Sequence, residues 1–461
     1  MKNRSAGEQR KLHNTIRAGA WLLAGLLLYT APANAAGPCD APVPPPFANC
    51  PKKPAPTANA APALSAQASL GKLIFNDVAL SASGKQSCAT CHSPGSAFTA
   101  PNANPVPTGG INMNLLGLRN APTVAYASFT PAFSLNGGGP VTNPPGRPPS
   151  GGFMHDGRLA SLTAQAQKPF VTSFEMANAS SAEVIQRLQQ RPYLSQFTAL
   201  FGTAILSTPD AALAAMAQSI AAFETQDPAF HAFSSKFDAF QRGQATLTAA
   251  ERAGMQAFLA RDRGNCESCH HSNSNNGGPA LFTDFTYHAL GVPRNWAIPY
   301  NLDSTTLPSF VPANGATLGA PNHQYYDMGL CGPLRTDLAS NTALCGSFKV
   351  PTLRNVAVKK AYFHNGVFTN LNDVVSFYAT RNSNPSRWYK LPNGSPDILY
   401  NDLPVAYARN VEPVNAPGRP IAPNLSATDV RNLVSFLCTL TDGYDPANPG
   451  AYKLPAQCTA Q

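Results

Sequence analysis

Two five-residue stretches decide how this chain folds: Cys88-Ala89-Thr90-Cys91-His92 and Cys266-Glu267-Ser268-Cys269-His270. Each reads C-x-x-C-H. On a helical turn, cysteines three residues apart share a face, so each sulfur can form a thioether with a vinyl group of one haem. The histidine that follows then lies under the porphyrin, where its imidazole can ligate iron. A zinc half-site and a redox disulfide use the same cysteine spacing. Neither calls for a histidine directly after both pairs. Two covalent c-type haems are therefore expected, attached through Cys88, Cys91, Cys266 and Cys269, with His92 and His270 on the irons.

The amino terminus agrees, because covalent c-type haem is attached outside the cytoplasm. Lys2, Arg4, Arg10, Lys11 and Arg17 precede an apolar run from Ala18 to Tyr29 and the small-residue site Ala33-Asn34-Ala35. That is the pattern of a secretory signal cleaved before Ala36. A membrane anchor is the competing reading, but the run is about a dozen residues where a spanning helix needs about 20. No later stretch is apolar for long enough, so no stable membrane insertion is expected. The formal charge is +9, and the leader carries five basic residues and Glu8, so +5 remains after cleavage. A charge that small and diffuse does not point to nucleic acid. With 43% hydrophobic residues the chain can build packed cores, while 44 Pro, 34 Gly and only 12% charged residues indicate long loops.

Residues 36–67 are rich in Pro and Ala and read as a linker. Helices are expected where caps precede apolar faces. Ser180 and Glu183 lead into Val184, Ile185 and Leu188; Thr248 and Glu251 lead into Met255, Phe258 and Leu259; Ser426 and Asp429 lead into Val430, Leu433, Val434 and Leu437. Leu213, Met216, Ile220 and Phe223 also recur at helical spacing. Strand signals are few. The fold class expected is mainly α, with long loops at 293–347 and 382–424 and two domains meeting near 225–245. Six cysteines lie outside the haem motifs. In an oxidising compartment Cys39–Cys50, Cys331–Cys345 and Cys438–Cys458 are the simplest pairs, chosen by proximity among 15 connectivities.

Around the first motif stand LGKLIFNDVALSASGKQSCATCHSPGSAFT (70–99), RNAPTV (119–124), HDGRLASLTAQAQKPF (155–170) and FEM (174–176). Around the second stand GNCESCHHS (264–272), FTDFTYHALGVP (282–293), FKVPTLRNVAVKKAYFHNG (348–366) and LNDVVSFYATR (371–381). In order and spacing, over residues 68–445, the chain resembles the bacterial di-haem cytochrome c peroxidase superfamily. Its segments from RNSNPSRWYKLPNG through NDLPVAYARNV to FLCTLTDGY are similar to the MauG branch, whose namesake oxidises tryptophans of a precursor protein to build a quinone cofactor. The resemblance implies two cytochrome-c-like domains, with residues 68–240 holding a peroxide-reactive haem and residues 241–461 an electron-transfer haem. It places Glu175 and Gln165 in the distal pocket of the first haem. A carboxyl there makes chemical sense, since splitting a peroxide bond requires moving a proton between its oxygens. On the residue alone, Glu175 reads as a solvated helix-end carboxylate, and the spacing of FEM after HDGR and Q-A-x-x-P is what lifts it.

Fourteen residues after His364 comes Tyr378, where ordinary family peroxidases carry a methionine ligand and the MauG branch a tyrosine. A thioether raises the reduction potential, whereas a phenolate is hard and favours oxidised iron. The residue-level alternative is a tyrosine packed on the apolar face of VVSFY. No histidine occurs between His92 and His155, so the first haem is expected to be five-coordinate. His155 stands where the family commonly has an inter-haem tryptophan; ligation, a propionate hydrogen bond and space filling all remain open for it. The family's inter-haem calcium would map to Asn120, Lys359 and Ala361, although lysines occupy both 359 and 360. Trp296 and Trp388 receive no role. The function expected is a periplasmic oxidoreductase using hydrogen peroxide, with a small cytochrome or copper protein as donor or a protein as substrate. A non-catalytic dihaem electron-transfer cytochrome is the alternative.

Overall fold

The computed structural model describes residues 63–136, 148–273, 278–301, 325–412 and 425–459. The expected leader, nearly all of the linker and the Cys39–Cys50 pair lie outside these residues. The N-terminal half contains α1 (Ala66–Asn76), α2 (Cys88–Cys91), α3 (Leu162–Gln167), α4 (Ser181–Leu188), α5 (Leu194–Phe201) and α6 (Pro209–Gln226). The C-terminal half contains α7 (Lys236–Gln241), α8 (Ala249–Leu259), α9 (Leu371–Thr380), α10 (Pro385–Trp388), α11 (Ala427–Cys438) and α12 (Ala456–Thr459). Among the described residues the strands form two small antiparallel pairs, Thr108–Gly109 with Leu115–Leu116 and Tyr287–Ala289 with Ser347–Lys349. The mainly helical class follows, and no described helix is long and apolar enough to cross a membrane.

The expected caps are formed. Ser180, Thr248 and Ser426 accept from the backbone N–H groups of Glu183, Glu251 and Asp429, which satisfies donors that a helix start leaves open. One helix starts earlier than the linker reading allows: Ser65 caps α1, so ordered structure begins inside the Pro/Ala-rich stretch. Cys331–Cys345 and Cys438–Cys458 are disulfides, as proximity suggested.

Each half is built on one close helix crossing. In the first, α1 packs on α6 at Gly71, where an added Cβ would lie 1.8 Å from the Ser219 carbonyl. In the second, α8 packs on α11 at Gly254, where a Cβ would lie 1.9 Å from the Asn432 carbonyl. Only glycine lets the backbones approach so closely. Beside each crossing sits an aromatic core. Phe75, Phe98, Phe223 and Phe230 pack together in the first half, and Phe237, Phe258, Phe282 and Phe436 in the second. All eight are buried, each worth about 1.5–3 kcal/mol of hydrophobic stabilisation. Leu281 apart, the first cluster draws on residues up to Phe233, and the second begins at Phe237.

A second device also occurs twice. Phe153 pairs with Leu159, and Tyr362 with Phe368, across tight turns with Met154, Gly157, Phe363 and Gly366 at positive φ. Two residues after each turn a polar residue, Ser161 or Asn370, caps a helix, α3 or α9. His155 and His364 therefore hold equivalent places, each six residues before its cap.

Candidate functional site

Both C-x-x-C-H stretches form a single tight turn. The His92 N–H donates to the Cys88 carbonyl at 2.8 Å and the His270 N–H to the Cys266 carbonyl at 2.9 Å. This sets the paired sulfurs on one side of the turn with the histidine beside them. Among the described residues, these four cysteines are the free ones. Burial pushes the Cys91 thiol up to about 11 and the Cys266 thiol up to about 12. Thiolate metal ligands and redox cysteines need the opposite, a lowered thiol pKa. Neutral thiols suit thioether attachment.

The two imidazoles are oriented alike. His92 Nδ1 lies 3.3 Å from the Phe98 carbonyl and His270 Nδ1 lies 2.9 Å from the Phe282 carbonyl. A carbonyl only accepts, so Nδ1–H donates in both, and each Nε2 is left with a lone pair for a metal. Burial drives the His92 pKa down to about 4 and also lowers that of His270, keeping both neutral. Phe98 and Phe282 make this possible. Each has its ring in an aromatic core and its backbone at positive φ, 55° and 53°, which turns the carbonyl toward the histidine. Sequence reasoning passed over both, although a Phe-Thr pair follows each motif, at 98–99 and 282–283.

A cavity of about 1670 Å³ runs through the molecule, far above the ~300–1,000 Å³ of an ordinary small-molecule site. Its wall carries Cys266, Cys269, His270 and Tyr378 and extends to Lys359, His155 and Gln165. Tyr378 projects from α9, and its hydroxyl has no hydrogen-bond partner among the described residues. Burial, then the neighbouring cysteines 269 and 266, raise its pKa. Gln165 lines this cavity wall and Glu175 does not; the thiols of Cys88 and Cys91 are raised by burial first, with a smaller contribution from the Glu175 charge. Burial raises the Glu175 pKa; the Arg158 charge and the Thr172 hydroxyl oppose this.

His155 Nε2–H donates to the Asn120 carbonyl at 2.8 Å. Burial, with the Arg119 charge beside it, drives its pKa down to about 3, so it is a neutral clamp between two segments of the first half. Its counterpart His364 lies parallel to Phe348 at 3.7 Å and reaches Asp402 at 3.2 Å. Arg119 crosses the same region, with Asp156 at 2.8 Å and Asp327 at 2.5 Å. Two of the three oxygens expected around calcium have partners within the chain. The Lys359 ammonium lies 3.5 Å from Asn120 Oδ1, and the Lys359 carbonyl accepts from the Tyr362 hydroxyl at 2.9 Å. The described residues contain one grouping of three metal-type side chains, Cys269, Asp284 and His288, and it includes a haem-motif sulfur.

Comparison with known proteins fits this geometry. The sequence profile described as di-haem cytochrome c peroxidase matches residues 65–246. Methylamine utilization protein MauG of Paracoccus denitrificans is 36% identical over 404 residues, covering 84% of this chain and 92% of that protein. Cytochrome c551 peroxidase of Pseudomonas aeruginosa is 30% identical over 318 residues, 67% of this chain and 70% of its own. Among solved structures, the diheme peroxidase BthA of Burkholderia thailandensis superposes with a TM-score of 0.69 at 34% identity, covering 85% of this chain and 89% of that one. The chain belongs to the di-haem cytochrome c peroxidase and MauG family, and is a peroxide-using, peroxidase-type oxidoreductase with two c-type haems.

Proposed function

We propose that this is an exported, periplasmic enzyme of the MauG type. In it the first motif serves the haem that meets peroxide, and His270 and Tyr378 flank the iron of the second. When bound, the haems supply the iron that takes up peroxide and passes electrons. The chain supplies everything else. Cys88, Cys91, Cys266 and Cys269 anchor the groups, while the Phe98 and Phe282 carbonyls fix the His92 and His270 tautomers. Glu175, a carboxyl whose pKa burial raises, is the group that can give up and take back a proton, as moving one between two peroxide oxygens requires. Gln165 offers a neutral donor and acceptor on the cavity wall.

The observation that carries the MauG-type reading is Tyr378. Tyr378 lies on the same cavity wall as His270, and its hydroxyl, with no hydrogen-bond partner among the described residues, is available to ligate. A hard oxygen on the second iron favours its oxidised states, which suits an enzyme that withdraws electrons from a partner protein better than one fed by a high-potential donor. The two disulfides agree with an oxidising compartment.

The test is spectroscopic. Haem-loaded wild type and Tyr378→Met are compared by optical and electron paramagnetic resonance spectra before and after stoichiometric peroxide. A long-lived oxidised species present in wild type and lost in the variant supports the proposal. Rapid turnover with reduced small cytochrome in both proteins would instead make it a detoxifying peroxidase. Two fully six-coordinate, low-spin haems with no peroxide reaction would leave only electron transfer.

A further inference from the structure

The contact between the halves holds a departure from the family pattern. Segment 359–366 lies along segment 101–121, with the Asn120 N–H donating to the His364 carbonyl at 2.7 Å and the exposed Lys360 ammonium reaching the Pro101 carbonyl at 2.6 Å. Between these two bonds stands Lys359, half-buried on the cavity wall. Its ammonium is 3.5 Å from Asn120 Oδ1 and 3.4 Å from the Ala121 carbonyl, long for hydrogen bonds but close for a charge facing two oxygen dipoles.

A calcium ion needs six to eight oxygens at about 2.3–2.6 Å, usually including carboxylates. Two of the three protein oxygens mapped here, those of Asn120 and Lys359, are engaged by the chain itself. The Asn120 side-chain oxygen already faces an ammonium group. The Lys359 carbonyl accepts from the Tyr362 hydroxyl at 2.9 Å and from Gln457 Nε2 at 3.3 Å. Gln457 in turn accepts the Leu371 N–H at 2.9 Å, so the chain's last helix holds that carbonyl away from Asn120. No carboxylate contributes to the lysine's electrostatics, where burial alone acts.

We propose that the Lys359 ammonium stands in place of the inter-haem calcium ion, a cation supplied by the chain itself that joins the two halves at Asn120 and Ala121. Lys359 is thus a positioning residue that ties segment 359–366 to segment 101–121.

The inference goes beyond the proposed reaction, and calcium content and melting temperature are read without turnover, so failure of the one does not imitate failure of the other. Holoprotein is purified and analysed for calcium, then treated with EGTA. No stoichiometric calcium, with spectrum and melting temperature unchanged by EGTA, is the expected result. About one calcium per chain would overturn the proposal. Lys359→Met keeps the apolar stem and removes the charge. With the ammonium gone, the contact between segments 359–366 and 101–121 should loosen, read as faster hydrogen exchange at the Asn120 amide that donates to the His364 carbonyl, and Lys359→Arg should restore most of the protection. A Met variant with wild-type protection at Asn120 would overturn the proposal. If Lys359→Met does not fold, the Arg variant and the wild-type calcium measurement decide: calcium in wild type, or an Arg variant that has lost the protection, counts against it.

Discussion

Glu224 lies on α6 at 3% exposure, and its Oε2 has no hydrogen-bond partner among the described residues. Burial pushes its carboxyl up from 4.5 to about 8. A carboxyl raised on folding binds its proton more tightly in the folded state, so its penalty is absent below pH 4.5, grows as pH rises, and is complete above pH 8. Each pH unit between those values is worth about 1.4 kcal/mol, giving about 3 kcal/mol at pH 7 and about 5 kcal/mol above pH 8. Glutamine has nearly the shape of the protonated acid and cannot ionise. Glu224→Gln should therefore match wild type near pH 4.5 and become more stable than it as the solution turns alkaline. The assay is equilibrium urea unfolding of both holoproteins, followed by circular dichroism from pH 5 to pH 9. Taking the difference cancels every other titrating group, including His92, His155 and Lys359. A difference that stays within about 1 kcal/mol across that range would refute the assignment of a buried, unpartnered acid.

Glu175→Gln should slow the reaction with peroxide by about 10²–10⁴-fold in stopped-flow haem spectra, the usual worth of a positioned proton carrier, with haem content unchanged. The wild-type rate should also show a pH limb above the ordinary carboxylate range that the variant lacks; a variant within a few-fold of wild type would remove Glu175 from the chemistry. Gly254→Ala forces a methyl against the Asn432 carbonyl and should destabilise by about 1–3 kcal/mol or more, seen as a lower melting temperature. Gly450→Ala, with nothing within 4 Å and no positive φ, should change the melting temperature little.

What the sequence revealed was what is local. Caps at Ser180, Thr248 and Ser426 depend on residues three apart, and the haem motifs on residues four apart, so both were legible. The two formed disulfides close loops of 14 and 20 residues, short enough for proximity to choose them. The start of α1 was not legible, because Ala66-Gln67-Ala68-Ser69 carries no apolar period of its own and becomes helical by packing on α6, more than 140 residues later. The same limit hid Phe98 and Phe282. Their part is played by a carbonyl turned through a positive φ, which no side-chain pattern announces. The lysine at 359 was legible at the mapped calcium position, but not the path of its side chain to Asn120, since a motif gives residue order and not where a long side chain ends.

The duplicated turn-and-helix device turns one register position into a functional contrast. Counting eight residues from the cap of α9 at Asn370 reaches Tyr378; counting eight from the cap of α3 at Ser161 reaches Pro169. The proline ends α3 after six residues, because its ring removes an N–H donor, and the chain continues as a 3₁₀ turn over Lys168–Val171. Where α9 runs on for ten residues and presents a phenol, the equivalent place in the first half presents a ring with nothing to donate or to ligate. On the proposed reading this separates the irons: one has a side chain ready for its second face, the other does not. The shortened helix also leads into the turn that carries Glu175, whose backbone N–H donates to the Thr172 carbonyl at 2.9 Å. A single proline thus accounts both for the missing ligand and for the local path that brings an acid to the motif that lacks one.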